Sequence, residues 1–287
     1  MIYEKYTGTE YAYVMPPDED GRLYTAIADK AFLSCKTLHE LTLSPAITRI
    51  GSWAFAHMHH LEKLTVPCAV LQFGRQVFLD CPRLTRIQVM EDNSGNPGLP
   101  FFLAGAVTLL QKDELFAPAL AAGADTHKEW LGAYDDALLD FLHTPDESGF
   151  EPVFYGWFND EDADAQLPRY LETQRRNKVR LTFLRLLYPL YLSADCKAYL
   201  QTYLSDHMPD GAKAAEHTAV WDCLRKDGYG EDMRCIHILE EAQILTETQI
   251  ARLLDYLQPG NPEVTAYLLR LRDSLRQSTD LFGQFLL

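Results

Sequence analysis

His57, His59 and His60 stand close together and are the side chains that most suggest a metal. A structural zinc site needs four well-spaced ligands, and no fourth lies near them along the chain. They read as residues of a turn, and no metal or other cofactor is expected. The run Asp160-Glu161-Asp162-Ala163-Asp164 lacks the alternating ligands and terminal Glu of a calcium loop; acids also collect at helix starts, where the dipole favours them. Cys235 and His237 are two apart on a predicted helix and face different directions, so they make no nucleophile–base pair. No HExxH, GxSxG, phosphate-binding loop or GxGxxG occurs, which removes the usual warrants for zinc hydrolysis, acyl transfer and nucleotide binding. The expectation is therefore a non-enzymatic protein, with an acidic site in the helical half as the enzymatic alternative. Arg169, Arg175, Arg176, Lys178, Arg180 and Arg185 form one basic stretch in an acidic region. They read first as partners of acidic neighbours in the same fold, and second as a contact for an acidic partner.

Charge narrows the partners. A formal net charge of −15 argues against duplex nucleic acid, which requires a basic footprint, and against an anionic membrane surface. The charge is uneven: −2 over residues 1–100 and −13 over the rest. The pattern changes at the same place, which sets an expected domain boundary at 98/99. Met1-Ile2-Tyr3-Glu4-Lys5 shows no basic segment followed by an apolar one. The uncharged run Leu99 to Leu110 is short of the roughly 20 residues a bilayer span needs. A cytoplasmic location is expected. Of the six cysteines none forms a CxxC, and Cys35 and Cys81 occupy a position held by Met58 between them, which marks it as apolar packing.

The positioning elements emerge when the chain is shifted by 23 residues. Phe32, Phe55 and Phe78 then align, as do Leu38, Leu61 and Leu84, then Leu41, Leu64 and Ile87, then Leu43, Val66 and Val89. Ala28, Gly51 and Gly74 share a column suited to a tight bend. The Leu-x-x-Leu-x-Leu ending is a period-2 pair and predicts a short strand with Leu41 and Leu43 inward. The preceding Ala-Phe-x-x-Cys predicts a helical or 3₁₀ turn that drives the Phe into the same interior. Each copy has an apolar face that only a neighbouring copy can bury, so stacking yields a parallel sheet.

The wording Ile-Gly-Ser-Trp-Ala-Phe-Ala-His-Met-His-His-Leu-Glu-Lys-Leu-Thr-Val-Pro, from Ile50, resembles the BspA-type leucine-rich repeat, roughly I-G-x-x-A-F-x-x-C-x-x-L-x-x-L-x-L-P. The resemblance covers about residues 14–92, with a degenerate first coil expected over Val14–Ile27 and an enlarged loop at 15–21. It implies a curved solenoid used mostly for binding macromolecules, and no catalytic residues. Alternation along the strands places Glu40, Thr42, Lys63, Thr65, Arg86 and Gln88 on the open sheet face, with Glu40, Lys63 and Arg86 as lateral neighbours. These six are the candidate binding residues, and a protein is the expected partner.

From about residue 108 the period becomes helical. Helices are predicted over Lys128–His143, Ala163–Tyr188, Ala194–His207, Lys213–Lys226, Glu231–Ala242, Glu247–Leu257 and Pro262–Arg276. Thr246 and Gln249 form a capping box, and Pro262 suits a first helical position. The last helix pair looks somewhat like the ankyrin-flavoured helix pairs attached to some bacterial repeat proteins, although T-P-L-H-x-A is missing. Phe101, Phe102 and Leu103 are expected to plug one end of the repeat array, since short arrays need caps. The aromatic segment Phe150, Phe154, Tyr155, Trp157 and Phe158 reads as core between helices. The apolar tail from Leu281 to Leu287 docks on its own helices or anchors a partner or a second copy, which makes a self-associating structural subunit the other alternative function. The expected fold is α+β: a leucine-rich-repeat domain over 1–98, then an all-α domain over 99–287 built as a bundle or as α-solenoid-like helix pairs.

Overall fold

Each repeat folds as one coil carrying two short strands, and the coils stack in parallel. The computed structural model describes residues 1–70, 72–92, 94–121, 124–150, 161–208, 218–257 and 260–284. One four-stranded sheet runs β1 (Ile2–Tyr3), β5 (Ala26–Ile27), β7 (Arg49–Ile50), β9 (Gln72–Phe73). The other runs β2 (Ala12–Val14), β6 (Glu40–Thr42), β8 (Lys63–Val66), β10 (Arg86–Val89). Both are parallel throughout. The second belongs to the Leu-x-x-Leu-x-Leu pattern. The first, built on the column Ile27, Ile50, Phe73, has too few residues per strand to show a period of two.

The core between the sheets is a column of rings. Phe32, Phe55 and Phe78 are each at most 2% exposed. Ring centroids stand 5.5 Å apart from Phe32 to Phe55 and again from Phe55 to Phe78. Leu41, Leu64 and Ile87 fill the layer beneath the second sheet. Burying each such side chain contributes about 1.5–3 kcal/mol, so the ring and aliphatic columns together stabilise the stack of coils. At the bends the backbones nearly touch. A Cβ added to Gly51 would fall 2.5 Å from the Asp29 nitrogen, and one on Gly74 would fall 2.3 Å from the Ser52 nitrogen; only glycine permits this approach. The Ala-Phe-x-x-Cys stretch forms turns rather than a helix, because it is bracketed by left-handed residues. Lys30, Trp53 and Gln76 have φ of 61°, 53° and 51°, and Ser34, His57 and Asp80 have 57°, 56° and 54°.

The first coil differs from expectation. It starts at Ile2, not Val14: β1 pairs with β5, and β2 pairs with β6. Tyrosines replace the usual residues there. Tyr3 and Tyr6 stack on Phe32 at 5.4 and 5.3 Å and close that end of the ring column. Residues 15–21 do not form a plain loop. They build a hairpin of β3 (Asp18–Glu19) and β4 (Arg22–Leu23), turned by Asp20 and Gly21, both at positive φ, as a two-residue Asp-Gly hairpin requires.

The opposite end is closed by helices. α1 (Leu99–Thr108) packs against β10, with Phe102 and Leu103 fully buried. α2 (Phe116–Ala121) brings Phe116 to 4.4 Å from the Phe73 ring and 5.6 Å from the Phe78 ring, extending the column by one. α3 (Ala124–His143) adds Tyr134, 5.0 Å from Phe102, and His127, whose Nε2 lies 2.9 Å from Asn96 Nδ2. Strands therefore give way to helices at Leu99, but the chain divides into compact units later, as Met1–His143 and Thr144–Leu287. The physical reason is the cap, which buries its apolar side against the last coil.

In the second unit, α4 (Glu161–Leu187) packs against α5 (Ala194–Asp206), α6 (Ala219–Lys226) and α7 (Met233–Glu241), while α8 (Glu247–Tyr256) pairs with α9 (Pro262–Gln284). The Thr246–Gln249 capping box is present, and Pro262 opens α9. α6 starts at Ala219, after Thr218; the earlier part of its predicted span, 213–217, lies outside the described residues. α7 starts at Met233 because Asp232 caps it by accepting from the Arg234 N–H, leaving Glu231 in a 3₁₀ turn. Phe154, Tyr155, Trp157, Phe158 and Asp160 lie outside the described residues, and of the rest of the acidic run, Glu161 to Asp164, and of the tail from Leu281 no side chain is described. No described helix is long and apolar enough to cross a membrane.

Candidate functional site

Strand register builds the open face of the β2–β6–β8–β10 sheet. Glu40 pairs with Lys63 and Lys63 with Arg86; Thr42 pairs with Thr65 and Thr65 with Gln88. The intervening Leu41, Leu64 and Ile87 are buried, so all six candidate residues point outward in two parallel rows. The rows extend onto β2 as Ala12 and Val14, and Val14 is 71% exposed. Glu40 and Lys63 stand in register without closing into an ion pair within 4.0 Å. Arg86 is partly committed: its guanidinium lies 5.0 Å from the Phe101 ring of the cap, a contact invisible to strand alternation.

A second ladder borders this face. The Tyr11 ring, exposed at the edge, stacks on His39 at 4.2 Å. His39 Nδ1 lies 3.1 Å from Glu62 Oε1, and the His39 and His60 rings are 5.5 Å apart. On the turns, Lys30 sits 5.2 Å from the Trp53 ring, and Trp53 Nε1 donates to Gln76 Oε1 at 2.8 Å. These contacts join residues of successive coils, so side chains far apart in the sequence form continuous stripes.

The three histidines are not one group. His60 turns towards His39 and Arg83. His57 and His59 meet a residue of the next coil, Asp80: His57 Nδ1 and His59 Nε2 lie 3.0 and 2.7 Å from the same Asp80 Oδ2. Burial works against the charge on Asp80, but hydrogen bonds from both imidazoles outweigh it and hold the carboxyl below the usual carboxylate range. Asp80 was missed because it is distant in sequence from the histidines. The repeat shift would have found it, since it occupies in the third copy the place of His57 in the second.

Five of the six residues of the basic stretch, all but Arg169, meet partners within their own unit. Arg176 Nε donates to Asp227 at 2.8 Å, Arg180 lies 3.7 Å from the same carboxylate, and Arg175 and Lys178 meet Asp146 at 2.7 and 2.8 Å. Burial raises the pKa of Asp227 and Asp146, yet the surrounding cations depress both overall. Arg185 is fully buried and donates to the carbonyls of Tyr188 and Leu190 beyond the end of α4. Cys235 and His237 are not paired. The buried Cys235 thiol is pushed up to about 12 by burial, and His237 lies edge-on to Tyr267. All six cysteines are free, and Cys81 and Met58 are buried in the shared column.

A parallel stack of coils with inward leucines, an internal phenylalanine column and a polar outer sheet defines a leucine-rich-repeat solenoid. The family model for a BspA type leucine rich repeat region matches residues 22–96, in six copies. Among solved structures, the leucine rich repeat protein of T. pallidum is similar at 28% identity, over 32% of this chain and 42% of that one, with a TM-score of 0.30. The chain thus spans less than half of that protein. No curated protein matches.

Proposed function

We propose that the chain is a non-catalytic protein-interaction module whose docking surface is the open face of the β2–β6–β8–β10 sheet. Leucine-rich repeats generally mediate contacts between proteins. The observation that carries the reading is the in-register double row, Glu40–Lys63–Arg86 and Val14–Thr42–Thr65–Gln88. Strands about 4.8 Å apart hold these side chains on a rigid frame, so little entropy is lost on docking. The exposed Tyr11 and Val14 at one edge supply an apolar anchor beside the polar rows.

The test is affinity capture from native lysate with the full chain and with a Glu40→Lys, Lys63→Glu double variant. Arg86 is kept because it also packs on the cap. A protein captured by the parent and lost by the variant is the expected result. A partner retained equally by both removes the docking surface from this face.

A further inference from the structure

We propose that His57, His59 and Asp80 bind one divalent transition ion of the zinc class, with the outward coordination positions left to water. One donor atom from each of His57, His59 and Asp80 lies within 4.8 Å of the other two. Both imidazoles already contact the same carboxylate oxygen, at 3.0 and 2.7 Å. Donors around a tetrahedral zinc, with bonds of about 2.0–2.1 Å, stand roughly 3.3 Å apart. Replacing the two hydrogen bonds by an ion therefore moves each imidazole slightly away from the carboxylate oxygen, while the two imidazoles adjust to one another from within 4.8 Å.

The frame that carries them is held on both sides. His57 N–H donates to the Leu79 carbonyl at 2.8 Å, which ties the backbone of one ligand next to that of another. Both His57 and Asp80 are set by left-handed turns. Met58 and Leu61, which flank His59 and His60, are fully buried. The imidazoles open onto a cleft lined also by Ser34, Cys35 and Lys36, so outside ligands can reach the remaining positions.

Ligand chemistry selects the ion. Two imidazoles and one carboxylate suit zinc, copper or nickel, whereas calcium wants six or more oxygens. Loading requires the proton of His57 on Nε2 and that of His59 on Nδ1, the tautomers opposite to those that donate to Asp80. With three protein ligands and water in the open positions, binding is weaker than at a closed four-ligand structural site.

Zinc chloride titrated by calorimetry into the full chain, near neutral pH in a non-chelating buffer, tests the site. One saturable site is expected. His57→Ala, His59→Ala and Asp80→Asn should each weaken it at least tenfold, while His60→Ala and Cys68→Ser leave it unchanged. All three ligands are exposed, and circular dichroism checks that the variants stay folded. Absence of saturable binding, or binding unaffected in the three ligand variants, overturns the proposal. So does equal loss in His60→Ala, which would mean a different ligand set.

Discussion

A neutral buried histidine behaves differently from a solvated one, and His127 shows how. It is fully buried on α3, stacked 5.5 Å from Trp130, and held by Asn96 through Nε2. Its Nδ1 has no hydrogen-bond partner among the described residues. Burial lowers its pKa, only partly opposed by the charge of Asp92. Below the unperturbed pKa of about 6.5, the unfolded chain takes up a proton that the folded chain declines. Stability is therefore fully present above that pH and falls as pH drops towards the lowered folded value, by at most about 1.4 kcal/mol per pH unit. Urea midpoints measured from neutral to mildly acidic pH should show this slope in the parent and a flatter one in His127→Gln. Equal slopes would refute the account. At the same scale, Asp80 shows why a ligand can escape a linear reading: its partners precede it by nearly a full coil, and only the stacking of coils unites them.

Among elements, the cap decides whether the coils can exist alone. Phe116 extends the ring column beyond Phe78, and Phe102 and Leu103 are buried, so truncation at residue 98 exposes the last coil. A fragment of residues 1–98 should be insoluble or molten, while residues 1–143 should melt cooperatively; calorimetry of the two fragments decides. A soluble, cooperative 1–98 would mean that the helices are dispensable. The plug residues were legible as an apolar run after the last strand, but their helix was not. Leu99, Phe102, Leu103, Ala104, Ala106 and Val107 are all buried, and a helix buried all round shows no amphipathic period. The coils at 28–92 were legible because each repeats its neighbour's spacing. The first was not, because Tyr3 takes the place of the usual Ile beside Ile27, Tyr6 stacks on Phe32 where a Phe is usual, and the Asp-Gly hairpin stretches the coil. In the second unit, the caps of α7 and α8 show how short polar signals bound helices, the Thr246 box having been readable and the Asp232 cap not.

Across the whole molecule, the uneven charge follows the two kinds of construction. The coils are nearly neutral, and the excess of acid lies beyond residue 100, where Asp146 and Asp227 gather the basic residues of α4. The six candidate residues were legible down to their lateral order, because alternation and the repeat shift together specify a parallel register. The commitment of Arg86 to Phe101 was not, since it depends on where the cap lies. The stack has one more property. Neighbouring coils meet through positions 23 residues apart, from Arg49–Gln72 in one sheet to Lys63–Arg86 in the other, so a middle coil offers its successor the same surface it accepts from its predecessor. Length is then adjustable without redesigning either end. A second copy of residues 46–68 inserted after Cys68 should lengthen the rod by one ring and raise the melting temperature, as adding internal units does in repeat arrays. Thermal melting of the extended chain beside the parent would show it, and a lower melting temperature would mean that the end coils impose a fixed count.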